Sequence, residues 1–188
     1  LKNLINKYGN PDVVIYSSTI SDHSKVINNK KLSNSINVKS NLKQLKNLLK
    51  FNCKIIFLST QLVYNGKKGN YKETDKTIPK LIYAKQKLII ENFIKDNFQN
   101  YLILRLGKVI GLRKNKQDPI NNFINQLKNN NIYNLACDQY SNYLYINDLI
   151  NILNIGIKSN LQGIYNIGGA VKASRYNFYL SILKINKL

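Results

Sequence analysis

Short apolar runs rich in β-branched residues recur along the chain, at residues 12–16, 54–58, 101–106 and 163–167. Runs of this length are typical of buried strands, above all where turn-forming residues bound them. A less regular run at residues 133–137 predicts a further strand. The apolar pattern therefore predicts five short strands.

Apolar residues between these strands recur instead at the spacing of a helix. Leu42, Leu45 and Leu48 share one face between the first two strands, while the intervening lysines fall on other faces. Ile90 and Ile94 repeat this spacing before the third strand. Each segment predicts an amphipathic helix that covers one face of a sheet.

The second half of the chain predicts helices at residues 119–130 and 147–157, and Ser174 is a predicted N-cap for a last helix. Strands that alternate with helices favour βαβ units with right-handed crossovers, and hence an α/β fold with a parallel sheet of doubly wound type. Ligands of such sheets bind beyond the carboxyl ends of the strands. The residues that follow each apolar run are therefore the candidates for chemistry.

The formal net charge of +20 is the most unusual value in the composition. A basic surface binds nucleic acid by releasing counterions from its phosphates. Lysine is spread along the whole chain, however, and is accompanied by abundant Asn and Ile, as an AT-rich coding sequence would produce. We interpret the charge as a compositional bias, so nucleic acid is not an expected partner, and a polyanion-binding surface is kept as the alternative.

No apolar run approaches the roughly 20 residues that cross a bilayer, so we expect no membrane contact and a soluble, cytoplasmic protein. Cys53 and Cys137 lie far apart, each next to apolar residues, which favours two buried free thiols over a disulfide or a metal site. His23 is expected at the surface. We expect no metal site.

Hydroxyl side chains follow the second predicted strand at Ser59 and Thr60, and Tyr83 and Lys87 begin the next helix four residues apart. Residues at this spacing share a helical face, so their heads can converge on one ligand. A carbonyl that is reduced needs a proton, which a phenol supplies if its pKa of about 10 is lowered towards the working pH. The ammonium of Lys87 would lower it, and Thr60 could hydrogen-bond the same carbonyl oxygen.

These residues belong to an ordered series of short motifs. The series runs through residues 11–15 (PDVVI), 21–22 (SD), 36–38 (INV), 59–66 (STQLVYNG), 83–87 (YAKQK), 104–105 (LR), 138–139 (DQ), 145–149 (YINDL), 163–169 (GIYNIGG) and 174–176 (SRY). It resembles the motif series of the extended short-chain dehydrogenases, and most closely that of their dTDP-4-dehydrorhamnose reductase branch. The resemblance covers nearly the full chain.

This resemblance implies a Rossmann-like fold in which residues 1–110 are the remainder of an NAD(P)-binding domain that carries the catalytic residues. Residues 111–188 would be mainly a small C-terminal substrate-binding portion, interleaved with the first domain. The implied activity is reduction of a keto group on a nucleotide-sugar substrate, with NADPH or NADH as cofactor, in cell-surface polysaccharide synthesis. The oligomeric state is left open, with a homodimer among the allowed states.

The resemblance also implies a role for each site residue. Tyr83 would donate the proton, Thr60 would orient the substrate carbonyl, and Lys87 would bind the nicotinamide ribose while lowering the tyrosine pKa. Ser17 and Ser18 would line the cofactor together with Tyr83 and Lys87. The alternative for Ser17 and Ser18 is that they are small residues filling a tight strand end.

The chain departs from the family pattern at three positions that bear on the site. The family usually has Asn at the position of Tyr16, a Trp that helps to hold the sugar at that of Lys108, and Thr at that of Leu144. Lys108 is the predicted second substrate contact beside Thr60, and since a lysine meets a ligand by charge rather than by stacking, the sugar is left open. Gln61 stands where a dehydratase commonly has an acidic residue, which favours simple reduction.

The glycine-rich turn G-x-x-G-x-x-G, through which the family grips its dinucleotide, follows none of the predicted strands. We expect this turn upstream of Leu1. The fold would then be N-terminally truncated. The chain alone would neither bind the cofactor well nor catalyse the reaction. An incomplete sheet would also expose an edge that is prone to aggregation.

Three other functions are left open by the sequence. Sugar-nucleotide epimerases and dehydratases share the Tyr, Lys and Thr centre with the reductases. A non-catalytic binding or regulatory subunit of the same fold would explain the altered pocket positions. A basic nucleic-acid-binding module would show steeply salt-dependent binding.

Overall fold

The structure of the chain is a computed structural model that describes residues 2–111, 119–129 and 132–186. The chain divides into two compact units. The first consists of Leu1–Leu106 and Leu153–Ile167, and the second of Gly107–Ile152 and Gly168–Leu188.

Strands and helices alternate through the first unit, as the sequence predicted. The strands of the described residues are β1 (Val13–Tyr16), β2 (Lys54–Thr60), β3 (Tyr101–Leu106), β4 (Lys108–Ile110), β5 (Tyr140–Tyr145), β6 (Gly163–Ile167) and β7 (Lys172–Ser174). The α-helices are α1 (Lys2–Tyr8), α2 (His23–Asn28), α3 (Lys30–Asn34), α4 (Asn41–Leu48), α5 (Ile82–Asn97), α6 (Pro119–Lys128), α7 (Ile146–Lys158) and α8 (Arg175–Asn186). A π-helical turn, Ser35–Ser40, joins α3 to α4, and a 3₁₀ turn, Gln61–Val63, follows β2. Within these described ranges, no helix combines the length and apolar character that crossing a membrane requires.

The first unit is built on a parallel sheet with the strand order β1-β2-β3-β6. All three strand pairs are parallel, and the register places Tyr16 beside Phe57, and Thr60 beside Leu106. The carboxyl ends of the strands therefore meet at one edge. This parallel sheet with flanking helices confirms the predicted Rossmann-like α/β fold.

Helices cover both faces of this sheet. On one face, Ile55 and Phe57 of β2 belong to a buried cluster that contains Leu45 of α4 and Ile90 of α5. On the other face, Gly156 of α7 comes so close that an added Cβ would stand 2.7 Å from the Cδ2 atom of Leu102. Alternate residues of the strands thus pack on different helices, as a doubly wound sheet requires.

A buried lysine fastens the end of α7 to the sheet. Lys54 begins β2 with only 5% of its surface exposed. Its Nζ atom donates hydrogen bonds to the carbonyl oxygens of Gly156 and Ser159, at 2.7 and 2.9 Å. The last carbonyls of a helix lack partners within the helix and attract a cation, so Lys54 stabilises this helix end. Burial lowers the pKa of Lys54.

The second unit contains a three-stranded sheet in the order β4-β5-β7, with β4 parallel and β7 antiparallel to β5. The predicted strand at 133–137 is wrong, because this segment is irregular. The ring of Tyr133 packs edge-on against that of Phe123, with 5.0 Å between the ring centres. Cys53 is buried as predicted, whereas Cys137 lies in the irregular segment and is exposed.

One local prediction for the second unit can be checked, and one glycine of this unit lies in close backbone contact. The Oγ atom of Ser174 accepts a hydrogen bond from the N–H of Asn177 at 3.1 Å, which confirms the predicted cap of α8. Gly169 of the GIYNIGG motif lies against β5, and an added Cβ would stand 1.8 Å from the carbonyl oxygen of Tyr143. Only a glycine allows the backbone to approach this closely.

Candidate active site

The carboxyl end of β2 carries two buried hydroxyl side chains, Ser59 and Thr60. The Oγ1 atom of Thr60 accepts a hydrogen bond from the N–H of Leu62 at 3.2 Å. This bond caps the 3₁₀ turn that follows the strand. The side chain of Thr60 is therefore fixed by local backbone at the edge where parallel sheets bind their ligands.

Lys87 of α5 connects its helix to the same strand, and only 4% of its surface is exposed. Its Nζ atom donates a hydrogen bond to the carbonyl oxygen of Leu58 at 2.7 Å. The same atom stands 4.7 Å from the ring centre of Phe57 and 5.8 Å from that of Tyr83. One buried ammonium thus contacts β2 and faces Tyr83, at distances where a cation is attracted to aromatic rings.

The position of Tyr83 relative to Thr60 follows from the contact between Lys87 and Leu58. Tyr83 precedes Lys87 by one helical turn, about 6 Å along the axis. Thr60 follows Leu58 by two residues, about 6.6 Å along the strand. Because a crossover helix runs antiparallel to the strands that it joins, both steps lead towards the carboxyl edge. The structure thus brings the three predicted catalytic residues to one end of β2, while their roles stay predictions.

Burial is the largest cause of the pKa shifts of Tyr83 and Lys87. It raises the pKa of the Tyr83 hydroxyl, which is the opposite of the direction that we expected from the nearby ammonium. It also lowers the pKa of Lys87 to about 8, against the opposing influence of the Glu91 charge. At neutral pH, Tyr83 is therefore protonated, the form that can donate a proton. Lys87 is still mostly charged at neutral pH and loses its charge as the pH rises through about 8.

Glu91, one helical turn after Lys87, forms a buried ion pair with Arg105 of β3. The distance from Oε2 of Glu91 to Nη2 of Arg105 is 2.7 Å, and 0% and 4% of the two side chains are exposed. The Nε atom of Arg105 donates to both carboxylate oxygens, at 3.3 and 3.1 Å, and the hydroxyl of Ser59 donates to Oε1. The carboxylate is thus surrounded by donors, which compensates the charge inside the core.

Arg105 also holds the loop that follows β2. Its Nη1 atom donates to the hydroxyl oxygen of Tyr64 at 2.8 Å and to the carbonyl oxygen of Glu73 at 3.3 Å. The Tyr64 hydroxyl donates to Oδ1 of Asn166 on β6 at 2.9 Å. The N–H of Asn166 donates to the Glu73 carboxylate at 2.8 Å, the main cause that lowers the pKa of Glu73. One hydrogen-bonded network thus joins the ends of β2, β3 and β6.

The sequence reasoning did not single out this network, although a signal was present. Glu91 interrupts an apolar stretch of the α5 segment, and Arg105 interrupts an apolar strand. The chain has only two glutamates, Glu73 and Glu91, and both take part. Buried charges are rare unless they are paired, so opposite charges in two packed apolar runs predict a buried pair.

The loop after β1 carries the two predicted cofactor residues, Ser17 and Ser18, which are both exposed. Nδ2 of Asn41 donates to the carbonyl oxygen of Ser18 at 2.9 Å. Asn37 bonds Ile20 twice: its Oδ1 accepts from the N–H at 2.7 Å, and its Nδ2 donates to the carbonyl at 3.0 Å. The loop backbone is therefore clamped while the serine side chains stay accessible. Whether they line a cofactor stays a prediction.

Asn41 and Asn37 also form hydrogen bonds with residues of β1 and α5. The hydroxyl of Tyr16 donates to Oδ1 of Asn41 at 3.3 Å, and burial raises the pKa of Tyr16 to about 12. Nδ2 of Asn37 also donates to Oε1 of Gln86 at 2.8 Å. Gln86 directly precedes Lys87, so the loop after β1 and the lysine are positioned by one set of buried amides.

Lys108, the predicted second substrate contact, begins β4 and belongs to the second unit, whereas the other predicted site residues belong to the first. Desolvation of its amino group and the charge of Arg175 both lower the pKa of Lys108. No group of three His, Cys, Asp or Glu side chains that could hold a metal ion occurs within residues 2–111, 119–129 and 132–186.

The parallel sheet with a lysine, a tyrosine and a threonine at the end of one strand defines the chain as a Rossmann-like α/β protein. Over residues 1–188 the chain matches the family described as RmlD substrate binding domain, and it belongs to that family. The resemblance noted in the sequence is thereby confirmed.

Two relatives show similarity in sequence. The dTDP-4-dehydrorhamnose reductase of Aggregatibacter actinomycetemcomitans is 29% identical over 160 residues, which cover 79% of this chain and 52% of that protein. The spore coat polysaccharide biosynthesis protein SpsK of Bacillus subtilis (strain 168) is 27% identical over 130 residues, covering 69% and 45%. The chain thus spans about half the length of the curated relatives it matches.

A solved structure shows the same fold. The dTDP-4-dehydrorhamnose reductase from Bacillus anthracis str. Ames, in complex with NADP, aligns with a TM-score of 0.87 and 21% sequence identity. The alignment covers 100% of this chain and 66% of that one. At this identity the likeness establishes the fold.

Proposed function

We propose that this chain carries the catalytic residues of an NAD(P)H-dependent reductase that acts on a keto group of a nucleotide-linked sugar, in cell-surface polysaccharide synthesis. The observation that carries the proposal is the buried Lys87 ammonium, which contacts the end of β2 and stands 5.8 Å from the Tyr83 ring centre. Membership of the RmlD substrate binding domain family supports it, as does the similarity to a dTDP-4-dehydrorhamnose reductase.

In the proposed reaction, the Tyr83 hydroxyl donates its proton to the carbonyl oxygen of the sugar. The Thr60 hydroxyl, held at the same edge, hydrogen-bonds that oxygen and orients the carbonyl. The charge of Lys87 stabilises the phenolate that Tyr83 becomes, and so lowers the energy of the proton transfer. NAD(P)H, when bound, supplies the hydride to the carbonyl carbon, so that proton and hydride together give the alcohol.

The residues present fit the nicotinamide end of a dinucleotide cofactor. Ser17 and Ser18 expose their hydroxyls at the carboxyl end of β1, which neighbours β2 in the sheet. The buried amides of Asn37 and Asn41 fix the backbone of this loop. Ser17 and Ser18 would line the cofactor, and Lys87 would hold its nicotinamide ribose. The Bacillus anthracis reductase of the same fold is a complex with NADP.

We assign substrate binding mainly to the second unit, through Lys108. The side chain next to Thr60 is an amide, Gln61, rather than a carboxylate. An amide does not act as a general base, which favours plain reduction over a reaction that first removes a proton from the sugar.

The test uses the protein encoded by the complete gene, assayed with NADPH and NADH against a panel of nucleotide-linked 4-keto sugars. We expect turnover with at least one of them, and Tyr83→Phe should lower kcat by roughly 10²–10⁴-fold with little change in substrate binding. The matched control is Tyr8→Phe, which removes the hydroxyl of a tyrosine that is 71% exposed on α1. Equal activity of Tyr83→Phe and the control would refute Tyr83 as the proton donor, and interconversion of sugar epimers without net oxidation of NAD(P)H would identify an epimerase.

A further inference from the structure

Two residues of the second unit stand side by side in its sheet. The parallel register of β4 and β5 pairs Lys108 with Tyr143. Partners in such a register point to the same face of a sheet, so the amino group and the phenol share a face. Lys108 as a whole is exposed, although its amino group is partly desolvated. A ligand can therefore reach this face at Lys108.

Helix α8 brings a second cation to the same face. The ring of Phe178 is stacked on that of Tyr143, with 3.8 Å between the ring centres and 6° between the planes. Arg175 precedes Phe178 by three residues, and residues at this spacing lie on the same side of a helix. Arg175 therefore faces the surface that carries Tyr143 and Lys108. Its charge acts on the pKa of both of these residues, which agrees with this placement.

The two cations lack an anionic partner in the described part of the chain. The ion pairs found there are Lys68–Asp75 and Glu91–Arg105, and neither includes Lys108 or Arg175. The Nε atom of Arg175 is buried and has no hydrogen-bond partner. Buried donors of folded proteins are almost always bonded, and like charges held close together repel each other, so an anion bound near these two cations would stabilise the arrangement.

We propose that Lys108, Arg175 and Tyr143 form a binding site for an oxyanion of the substrate. Arginine suits this task because its planar fork donates two parallel hydrogen bonds to phosphate or carboxylate, while lysine adds a point charge and tyrosine a hydroxyl donor. The identity of the ligand rests on the proposed function. A nucleotide-linked sugar offers the oxyanions of its diphosphate, and a uronic sugar adds a carboxylate.

Calorimetric titration of the protein encoded by the complete gene, at low salt, tests the site with three probes: inorganic pyrophosphate, UDP-glucose and UDP-glucuronate. The variants are Lys108→Gln and Arg175→Gln. The matched control is Lys172→Gln, because Lys172 is a lysine of the same sheet that pairs with Asn142 and therefore points to the opposite face. Circular dichroism establishes that each variant is folded, and Lys108→Gln, at an exposed position, tests the site even if Arg175→Gln fails to fold.

We expect each site variant to weaken binding roughly tenfold or more, the effect of losing about 1.4 kcal/mol, with the control close to the wild type. Weakening with all three probes assigns the site to the diphosphate, and weakening with UDP-glucuronate alone assigns it to a carboxylate. If none of the probes binds, or if the control loses as much affinity as the site variants, the proposal is overturned. Pyrophosphate binding does not depend on hydride transfer. The oxyanion site can therefore be confirmed even if the reductase activity is refuted, and the reductase activity can be confirmed even if the oxyanion site is refuted.

Discussion

The guanidinium of Arg105 and the carboxylate of Glu91 form an ion pair inside the core, with 2.7 Å between Nη2 and Oε2. The pair joins α5, which carries Tyr83 and Lys87, to β3, which lies next to the strand of Thr60. The pair therefore links helix and sheet next to the candidate site.

Replacing Glu91 by Gln should destabilise the chain by about 3–5 kcal/mol, because it leaves the Arg105 charge buried without its counterion. Urea unfolding measures the loss. Lys68→Met breaks the exposed ion pair of Lys68 with Asp75 and is the control, since exposed pairs contribute little. The double variant Glu91→Leu with Arg105→Met removes both charges and should regain much of the stability. A loss with Glu91→Gln that is no larger than the control's would contradict the interpretation.

Lys87 should make stability depend on pH in a defined window. Its pKa is about 8 in the folded chain, against 10.5 for a lysine in water. Between these values the unfolded chain retains a proton that the folded chain has lost, so the free energy of unfolding rises with pH. Below about pH 8 the folded state bears the full cost of burying the Lys87 charge. By pH 10.5 the free energy of unfolding should have risen by about 3 kcal/mol.

This pH effect is measured as the difference between the wild type and Lys87→Met in urea unfolding at a series of pH values. The wild type should gain stability relative to the variant as the pH rises from 8 to 10.5. Lys85→Met, at an exposed position of the same helix, is the control. Tyrosines with raised pKa values destabilise both proteins above about pH 10, so their contribution largely cancels in the difference. A difference that stays constant with pH would refute the assignment.

Asn37 should control the order of the loop that carries Ser17 and Ser18. Asn37→Ala removes both bonds to Ile20, and we expect a loss of roughly 2 kcal/mol together with faster hydrogen exchange at the Ile20 amide. Asn37→Asp keeps the acceptor but loses the donor, so it should protect this amide better than Ala does. Asn47→Ala, at an exposed position of α4, should leave Ile20 unchanged. Unaltered exchange at Ile20 in Asn37→Ala would show that the loop is held by other contacts.

The parallel sheet could be predicted from the sequence because its strands are apolar on both faces. The two runs at 101–106 and 163–167 coincide with β3 and β6, and the run at 54–58 falls within β2. The short strands β4, β5 and β7 were missed. Most of their residues are exposed or half-buried, and most are polar or aromatic. Their pairing partners also lie far away in the chain, so the local pattern does not reveal these strands.

The candidate site could be predicted in part. Thr60, Tyr83 and Lys87 were identified because they sit in short motifs at a strand end and a helix start. The direction of the Tyr83 pKa was not foreseen, since burial depends on tertiary packing that spacing does not encode. Arg175 was noted as part of a motif, but its placement near Lys108 depends on the register of β4 with β5 and on the packing of α8 against β5, which the local pattern does not encode.

Gly169 should tolerate no side chain. Gly169→Ala would place a Cβ 1.8 Å from the Tyr143 carbonyl oxygen. The segment that follows β6, which contains Gly169, would therefore have to move away from β5. We expect the second unit to lose its cooperative thermal unfolding. The control is Gly69→Ala, at a residue with open space around it and a φ of +70°, where the strain costs roughly 1 kcal/mol. Equal melting temperatures for the two variants would show that the backbones are not in close contact.

The hydrogen bonds of Asn166 have a consequence for how the protein is made. Asn166 meets Tyr64 across 102 residues of chain and Glu73 across 93. The ribosome releases residues 107–152, which belong to the second unit, before β6 emerges to form these bonds. Contacts that close such long loops form late in folding. We therefore expect Thr60, Tyr83 and Lys87 to be synthesised well before Asn166 can bond the loop after β2. The hydrogen bonds at the carboxyl end of β2 should then form after the rest of β2 has paired.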